Sequence, residues 1–161
     1  MKNQLIKRRQ RIYNLLEEDS ILVLHSGFAP FKSADSSYDY HVNRNFYYLS
    51  GINQEDVTLV VGKCQGQYYE KLFIDENDEF HAKWVGMKLT KEEATEISGI
   101  ENVLYLDSFE NLMFSLFNSS RKNYEEIYIL YLDLERRNDV DYTTPALGYS
   151  KIARKKFPEV K

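Results

Sequence analysis

The sequence predicts an α/β fold: a single domain over residues 1–161 in which a mixed sheet of about six strands is flanked by helices. Three observations predict it. Short stretches rich in apolar and aromatic residues, separated by segments containing Gly, Asn, Asp or Ser, recur at residues 21–24, 57–61, 68–74, 103–106 and 127–132, which is how strands are punctuated. Other stretches repeat apolar residues at helical spacing instead. With 161 residues, 43% hydrophobic and 14% aromatic, the chain can also fill one sizeable core.

Taken in order, residues 2–17 form the first helix, because Leu5, Ile12 and Leu16 share one face while Lys7, Arg8 and Arg11 cover the rest. Asp19-Ser20 ends it. Residues 21–24, Ile-Leu-Val-Leu, make a short buried strand closed by His25-Ser26-Gly27. Residues 28–40 have no periodicity and read as a long loop, whose acids Asp35 and Asp39 are equally suited to solvent or to a ligand. The stretch Asn43-Arg44-Asn45-Phe46-Tyr47-Tyr48-Leu49-Ser50-Gly51 follows. At period two, Phe46 and Tyr48 face one way and Tyr47 and Leu49 the other, so the stretch predicts a strand covered on both faces.

After a turn at Asn53-Gln54-Glu55, the strands at 57–61 and 68–74 are joined by a short Gly-containing connection and form an antiparallel hairpin. Thr90-Lys91-Glu92-Glu93 is a capping box ahead of a short helix over residues 93–98 that Gly99 stops. Residues 103–106 are the next strand. Asp107 then caps a helix whose stripe Phe109, Leu112, Met113, Leu116 and Phe117 faces the core. Residues 127–132 are the sixth strand. The last helix starts at Thr144-Pro145, buries Ala146, Tyr149, Ala153 and Phe157, and ends before Pro158.

The net charge of −4 hides an asymmetry. Residues 1–11 hold five basic and no acidic residues, residues 151–161 hold five basic and one acidic, and the rest of the chain is strongly acidic. An acidic body argues against a nucleic-acid surface, which needs a basic patch. No stretch approaches the roughly 18 apolar residues of a membrane span, and the N-terminus reads as a polar helix. The expectation is a cytoplasmic chain without nucleic-acid or membrane partners. The lone Cys64 is compatible with a reducing compartment.

Catalytic groups do not assemble in the sequence. A metal site needs three or more converging ligands, and the three histidines, His25, His41 and His81, stand in no H-E-x-x-H or H-x-H arrangement. The acidic run at 75–79 lacks the alternation and internal glycine of a calcium loop. No G-x-S-x-G elbow, phosphate-binding loop or cysteine–histidine neighbourhood is present either. The chain alone is expected to be no enzyme, with no catalytic residue and no metal of its own.

A family resemblance rests on ordered motifs. Asn43-x-Asn45-Phe46-Tyr47-Tyr48-Leu49-x-Gly51 resembles the N-x-[DN]-F-x-Y-L-[TS]-G signature in the N-terminal domain of Xaa-Pro aminopeptidase (aminopeptidase P), a domain shared with creatinase and some prolidases. The run at 57–61, Leu72-Phe73-Ile74 and Trp84-Val85-Gly86, similar to the family's W-x-G element, follow in family order. The resemblance implies a creatinase-like N-terminal domain whose C-terminal catalytic partner, of pita-bread fold, lies outside these residues. It implies two divalent metal ions, usually manganese, in that catalytic domain. It also implies homo-oligomeric subunits and peptide substrates with proline at the second position, so that this domain frames the substrate opening. The domain of a prolidase or creatinase, or a noncatalytic peptide- or protein-binding module of the same fold, are the alternatives.

Four residues are singled out. In the family, the tryptophan matching Trp84 reaches across an oligomer interface to a neighbouring active site; a core tryptophan is the competing reading. Asn45 matches a position near the substrate's amino end that is aspartate in some relatives, and Asn keeps the acceptor without the charge. A turn or strand cap competes with that role. Arg44 and Tyr48 are candidate interface contacts.

Overall fold

The computed structural model describes residues 1–33, 36–64, 66–76, 86–123, 129–132, 145–158 and 160, with the backbone alone for 118–123. The α/β expectation holds, and the main sheet is mixed. It has five strands: β1 (Ser20–His25), β4 (Thr58–Cys64), β5 (Gln67–Ile74), β6 (Val103–Tyr105) and β7 (Ile129–Leu132), in the order β6-β5-β4-β1-β7. The β4–β5 hairpin is antiparallel as expected, and β1 also runs antiparallel to β4, while β1–β7 and β5–β6 are parallel. Four strands therefore end at one edge of the sheet and only β4 starts there.

One expected strand is a helix. Residues 44–50 form α2 (Arg44–Ser50), and this removes the sixth strand. The strand reading relied on apolar groups at period two, but the residues that are buried, Asn43, Phe46, Leu49 and Ser50, fall three to four apart. Asn43 caps the helix, its Oδ1 accepting the Phe46 N–H at 2.9 Å. Gly51 ends it at φ +72°, where a Cβ would sit 2.7 Å from Leu5 Cδ1, so the helix stop and the close approach of the first helix both require glycine there. Burying Phe46 and Leu49 stabilises this arrangement by about 1.5–3 kcal/mol each.

The first helix, α1 (Lys2–Leu15), stops two residues before the expected end, with Leu16 already extended. The long loop contains a small hairpin of its own, β2 (Phe31–Ser33) and β3 (Ser36–Ser37), whose residues are all exposed; Asp35 lies outside the described residues. The capping box is present in both directions, and the third helix, α3 (Lys91–Ser98), ends at Gly99. Asp107 does not cap the next helix; it lies inside a one-turn 3-10 helix, Leu106–Ser108, that leads into α4 (Phe109–Asn123). The last helix is α5 (Pro145–Lys156).

Helices cover both sheet faces. On one, Leu22, Leu24, Leu59, Val61, Leu72 and Ile74 pack against α1, α2 and α3 through Ile12, Phe46, Leu49 and Ala94. On the other, Ile21, Val23, Val60 and Phe73 meet α4 and α5 through Phe109, Met113, Phe117, Tyr149 and Ala153. The predicted stripes of α4 and α5 are the ones that face the core.

Candidate functional site

The sheet edge at which β1, β5, β6 and β7 end gathers the polar apparatus of the fold, as expected for α/β sheets, whose ligand crevices lie outside the carboxyl ends of the strands. Ser26, fully buried, organises it. Its backbone N–H donates to the Val57 carbonyl at 2.8 Å, its Oγ accepts the Val57 N–H at 2.9 Å, and its carbonyl accepts the Asn43 N–H at 2.9 Å. The Tyr40 hydroxyl, at the foot of the β2–β3 hairpin, shares its proton between the carbonyls of Ser26 (3.1 Å) and Gln54 (2.9 Å). Burial pushes the Tyr40 phenol above its ordinary pKa, the Ser26 bond opposes this, and Glu55 and Asp56 add to it. One residue thus ties the end of β1, the start of β4, the hairpin and the cap of α2.

Gln54 Oε1 accepts the Leu89 N–H at 2.7 Å, and Lys88 pairs with Asp75. Asp56, close by, has its carboxyl pKa raised by burial, with Lys88 opposing and Glu55 and Asp75 reinforcing. Both flanks of the segment that carries Trp84 are therefore held at this edge. Trp84 itself and His81 lie outside the described residues.

Arg44, Asn45 and Tyr48 are brought together on α2, all exposed. The helix is gripped at its far end as well. Arg8 Nη1 donates to the Tyr48 carbonyl at 2.9 Å, with its guanidinium 4.2 Å from the Tyr48 ring centroid. Arg9, side chain 1% exposed, sends Nη1 to the Leu49 carbonyl at 2.8 Å and Nε to Glu70 Oε2 at 2.5 Å, and the Tyr68 hydroxyl donates to the same carboxylate. Two cations thus satisfy the open carbonyls of the last turn of α2. Sequence reading passed over Arg9, although the signal was there: the stripe Leu5, Ile12, Leu16 is interrupted at position 9, one helical turn from Leu5 and Ile12.

Among the described residues, no group of three or more His, Cys, Asp or Glu could hold a metal ion. His25 Nδ1 pairs with Thr58 Oγ1 at 2.9 Å, its ring lies edge-on to Phe109 and Tyr149, and burial lowers its pKa to about 4. His41 is exposed. No helix among the described residues is long and apolar enough to cross a membrane.

Known proteins share this fold. A family model described as "Aminopeptidase P, N-terminal domain" matches residues 5–128. Intermediate cleaving peptidase 55 of Schizosaccharomyces pombe is 29% identical over 126 residues, 77% of this chain and 25% of the relative. Xaa-Pro aminopeptidase of Escherichia coli is 25% identical over 113 residues, 70% of this chain and 26% of the relative. A solved Bacillus anthracis structure, described as a candidate aminopeptidase P, superposes with a TM-score of 0.86 at 38% identity, covering 99% of this chain and 37% of its own. Escherichia coli aminopeptidase P shares the fold at a TM-score of 0.75 and 22% identity, over 97% of this chain and 33% of its own. The chain spans about a quarter of the length of these curated relatives and about a third of the solved chains. With its mixed five-stranded sheet, its layer of three helices around α2 and a family match over most of its length, the chain belongs to the aminopeptidase P N-terminal domain family.

Proposed function

We propose that the chain is the noncatalytic N-terminal lobe of a metal-dependent Xaa-Pro aminopeptidase, a cytoplasmic hydrolase that releases the residue preceding proline. The observation that carries this reading is the sheet edge built around Ser26, where the cap of α2, the foot of the hairpin and both flanks of the Trp84 segment converge. In this reading the edge frames the substrate opening. Asn45 and Trp84 face the peptide, while Arg44 and Tyr48 contact a neighbouring subunit.

Two divalent ions, manganese by family precedent, would supply Lewis-acid chemistry from a separate pita-bread catalytic domain. The donor sets described in this chain do not fit them, so no step of the reaction is assigned to its residues. The aminopeptidase is favoured over a prolidase, a creatinase or a bare binding module by the names of the relatives, which are peptidases and Xaa-Pro aminopeptidases.

The test is Trp84→Ala in the longer protein that this reading implies. Turnover of peptides longer than dipeptides is expected to fall by about tenfold or more, since displacing a positioning group costs rate without removing the chemistry, or assembly is disturbed, with metal content unchanged. Normal turnover and normal oligomers would contradict the role given to Trp84.

A further inference from the structure

The segment that carries Trp84 leaves the sheet after β5 and returns ahead of α3, and its two ends are tied to each other. Asp75, the first residue past β5, accepts the Glu76 N–H at Oδ1 (2.9 Å) and the Lys88 ammonium at Oδ2, so both carboxylate oxygens are engaged. Leu89, next to Lys88, packs against the cluster that contains Phe46, Leu49 and Ala94, and its N–H donates to Gln54 Oε1 at 2.7 Å. Met87, by contrast, is 80% exposed. The chain is therefore anchored up to Asp75 and again from Lys88, and both anchors lie beside the turn between α2 and β4.

Gln54 is held from the opposite side by the hairpin. Its carbonyl accepts the Tyr40 hydroxyl, so this one residue takes a bond from the β2–β3 hairpin on its main chain and a bond from the Trp84 segment on its side chain. Two departures from the most stable arrangement meet in the same turn. With Oε1 given to Leu89, the Gln54 Nε2 is buried and has no partner among the described residues. Asp56 lies at φ +55°, the left-handed region that favours glycine, with its N–H bound to the Gly27 carbonyl at 3.1 Å. Each departure costs stability, and such costs are expected where a residue's position serves the site and not the fold.

We propose that Gln54 is a positioning residue: it is the joint that couples the hairpin to the Trp84 segment, with the Lys88–Asp75 pair tying the two ends of that segment together. The proposal rests on the reading of Trp84 given above for its effect on turnover, and not for the coupling itself. Because both bonds end on one residue, a change confined to the hairpin is felt at Trp84. Removing the Tyr40 hydroxyl frees the Gln54 main chain, and the Gln54 side chain then holds Leu89 less firmly. Lys88 and Asp75, with side chains 28% and 44% exposed, add a solvent-screened contact to the same joint.

Trp84 is the only tryptophan of the chain, so its fluorescence in the 161-residue protein tests this. Gln54→Met and Tyr40→Phe are each expected to raise acrylamide quenching of Trp84 by about twofold, with an unchanged circular dichroism spectrum, because one lost hydrogen bond favours local opening. Lys88→Met is expected to act in the same direction and Lys88→Arg to match wild type. Tyr40→Phe keeps the ring and so guards against a loss of folding. Wild-type quenching in either Gln54→Met or Tyr40→Phe would overturn the proposal. In the longer protein, Gln54→Met is expected to lower kcat/KM on peptides longer than dipeptides by about fivefold, the worth of one hydrogen bond. Gln54→Met/Trp84→Ala is expected to be no slower than Trp84→Ala alone, since a residue that acts through Trp84 then has nothing to position. Additive losses would show Gln54 acting by itself and would overturn the assignment. Normal turnover in Trp84→Ala would remove the reading of Trp84, while the fluorescence still decides the coupling.

Discussion

Arg9→Met is expected to remove about 3–5 kcal/mol of folding stability. The guanidinium is 1% exposed and Glu70 only 21%, so methionine would leave a mostly buried carboxylate facing the methionine side chain, with the Tyr68 hydroxyl as its remaining partner. It would also strip the Leu49 carbonyl of its donor and loosen α2 at the end opposite Asn43. Arg9→Lys should recover only part of the loss, since an ammonium cannot span Glu70 and Leu49 as the planar fork does. Adding Glu70→Met to Arg9→Met should restore about 1–3 kcal/mol, because a missing pair costs less than an orphaned charge. Urea unfolding of the wild type and these three variants checks the set. A loss below about 1 kcal/mol for Arg9→Met would mean that solvent reaches the pair.

Stability is expected to fall as the pH drops from about 6.5 to about 4 because of His25. Burial holds its folded-state pKa near 4, against 6.5 for the ordinary imidazole, and its Nε2 has no partner among the described residues. Above pH 6.5 the ring is neutral in both states and contributes no slope. Between the two values the unfolded chain takes up a proton that the folded chain refuses, so stability is lost. Below about 4 both states are protonated and the slope ends. The total is on the order of 3 kcal/mol. His25→Asn, which keeps a polar group near Thr58 without a titrating ring, should flatten this part of the pH profile relative to wild type; an unchanged profile would show that carboxylates alone set it.

Elements whose burial pattern is carried by one residue class were legible in the sequence. The hairpin β4–β5, the capping box of α3 and the stripes of α4 and α5 follow from local spacing and were read as they stand. The segment 44–50 was not, because Phe46, Tyr47, Tyr48 and Leu49 are residues that suit a pleated surface, and an unbroken apolar run hides its period. A local clue did exist. The tripeptide Ser-Gly-Ile closes both α2 and α3: Ser50 Oγ accepts the Ile52 N–H at 3.1 Å and Ser98 Oγ accepts the Ile100 N–H at 3.0 Å, each beside a left-handed glycine, with both isoleucines fully buried. The second was recognised as a helix stop and the first was not. What lies beyond local reading is the grip of Arg8 and Arg9 on α2, a contact across 40 residues of sequence.

The same distinction applies to the site. That Arg44, Asn45 and Tyr48 stand close together was plain from adjacency, but their common exposure depends on the helix, since a strand would have turned alternate residues inward. The gathering of Ser26, Tyr40, Asn43 and Gln54 at one sheet edge depends on the β1–β4 pairing and on a hairpin that carries no periodic signal. Hydroxyls and amides in such clusters become recognisable only when their backbone partners are known.

The measurement that bears most directly on the central claim is turnover of an Xaa-Pro peptide by the purified 161-residue chain, with and without added manganese, alongside its equilibrium manganese content. The account predicts no hydrolysis under either condition and no stoichiometric metal, because in the proposed reading the ion ligands lie in a separate catalytic domain. Manganese-dependent turnover by this chain alone, or one or two ions retained per chain after dialysis, would contradict it.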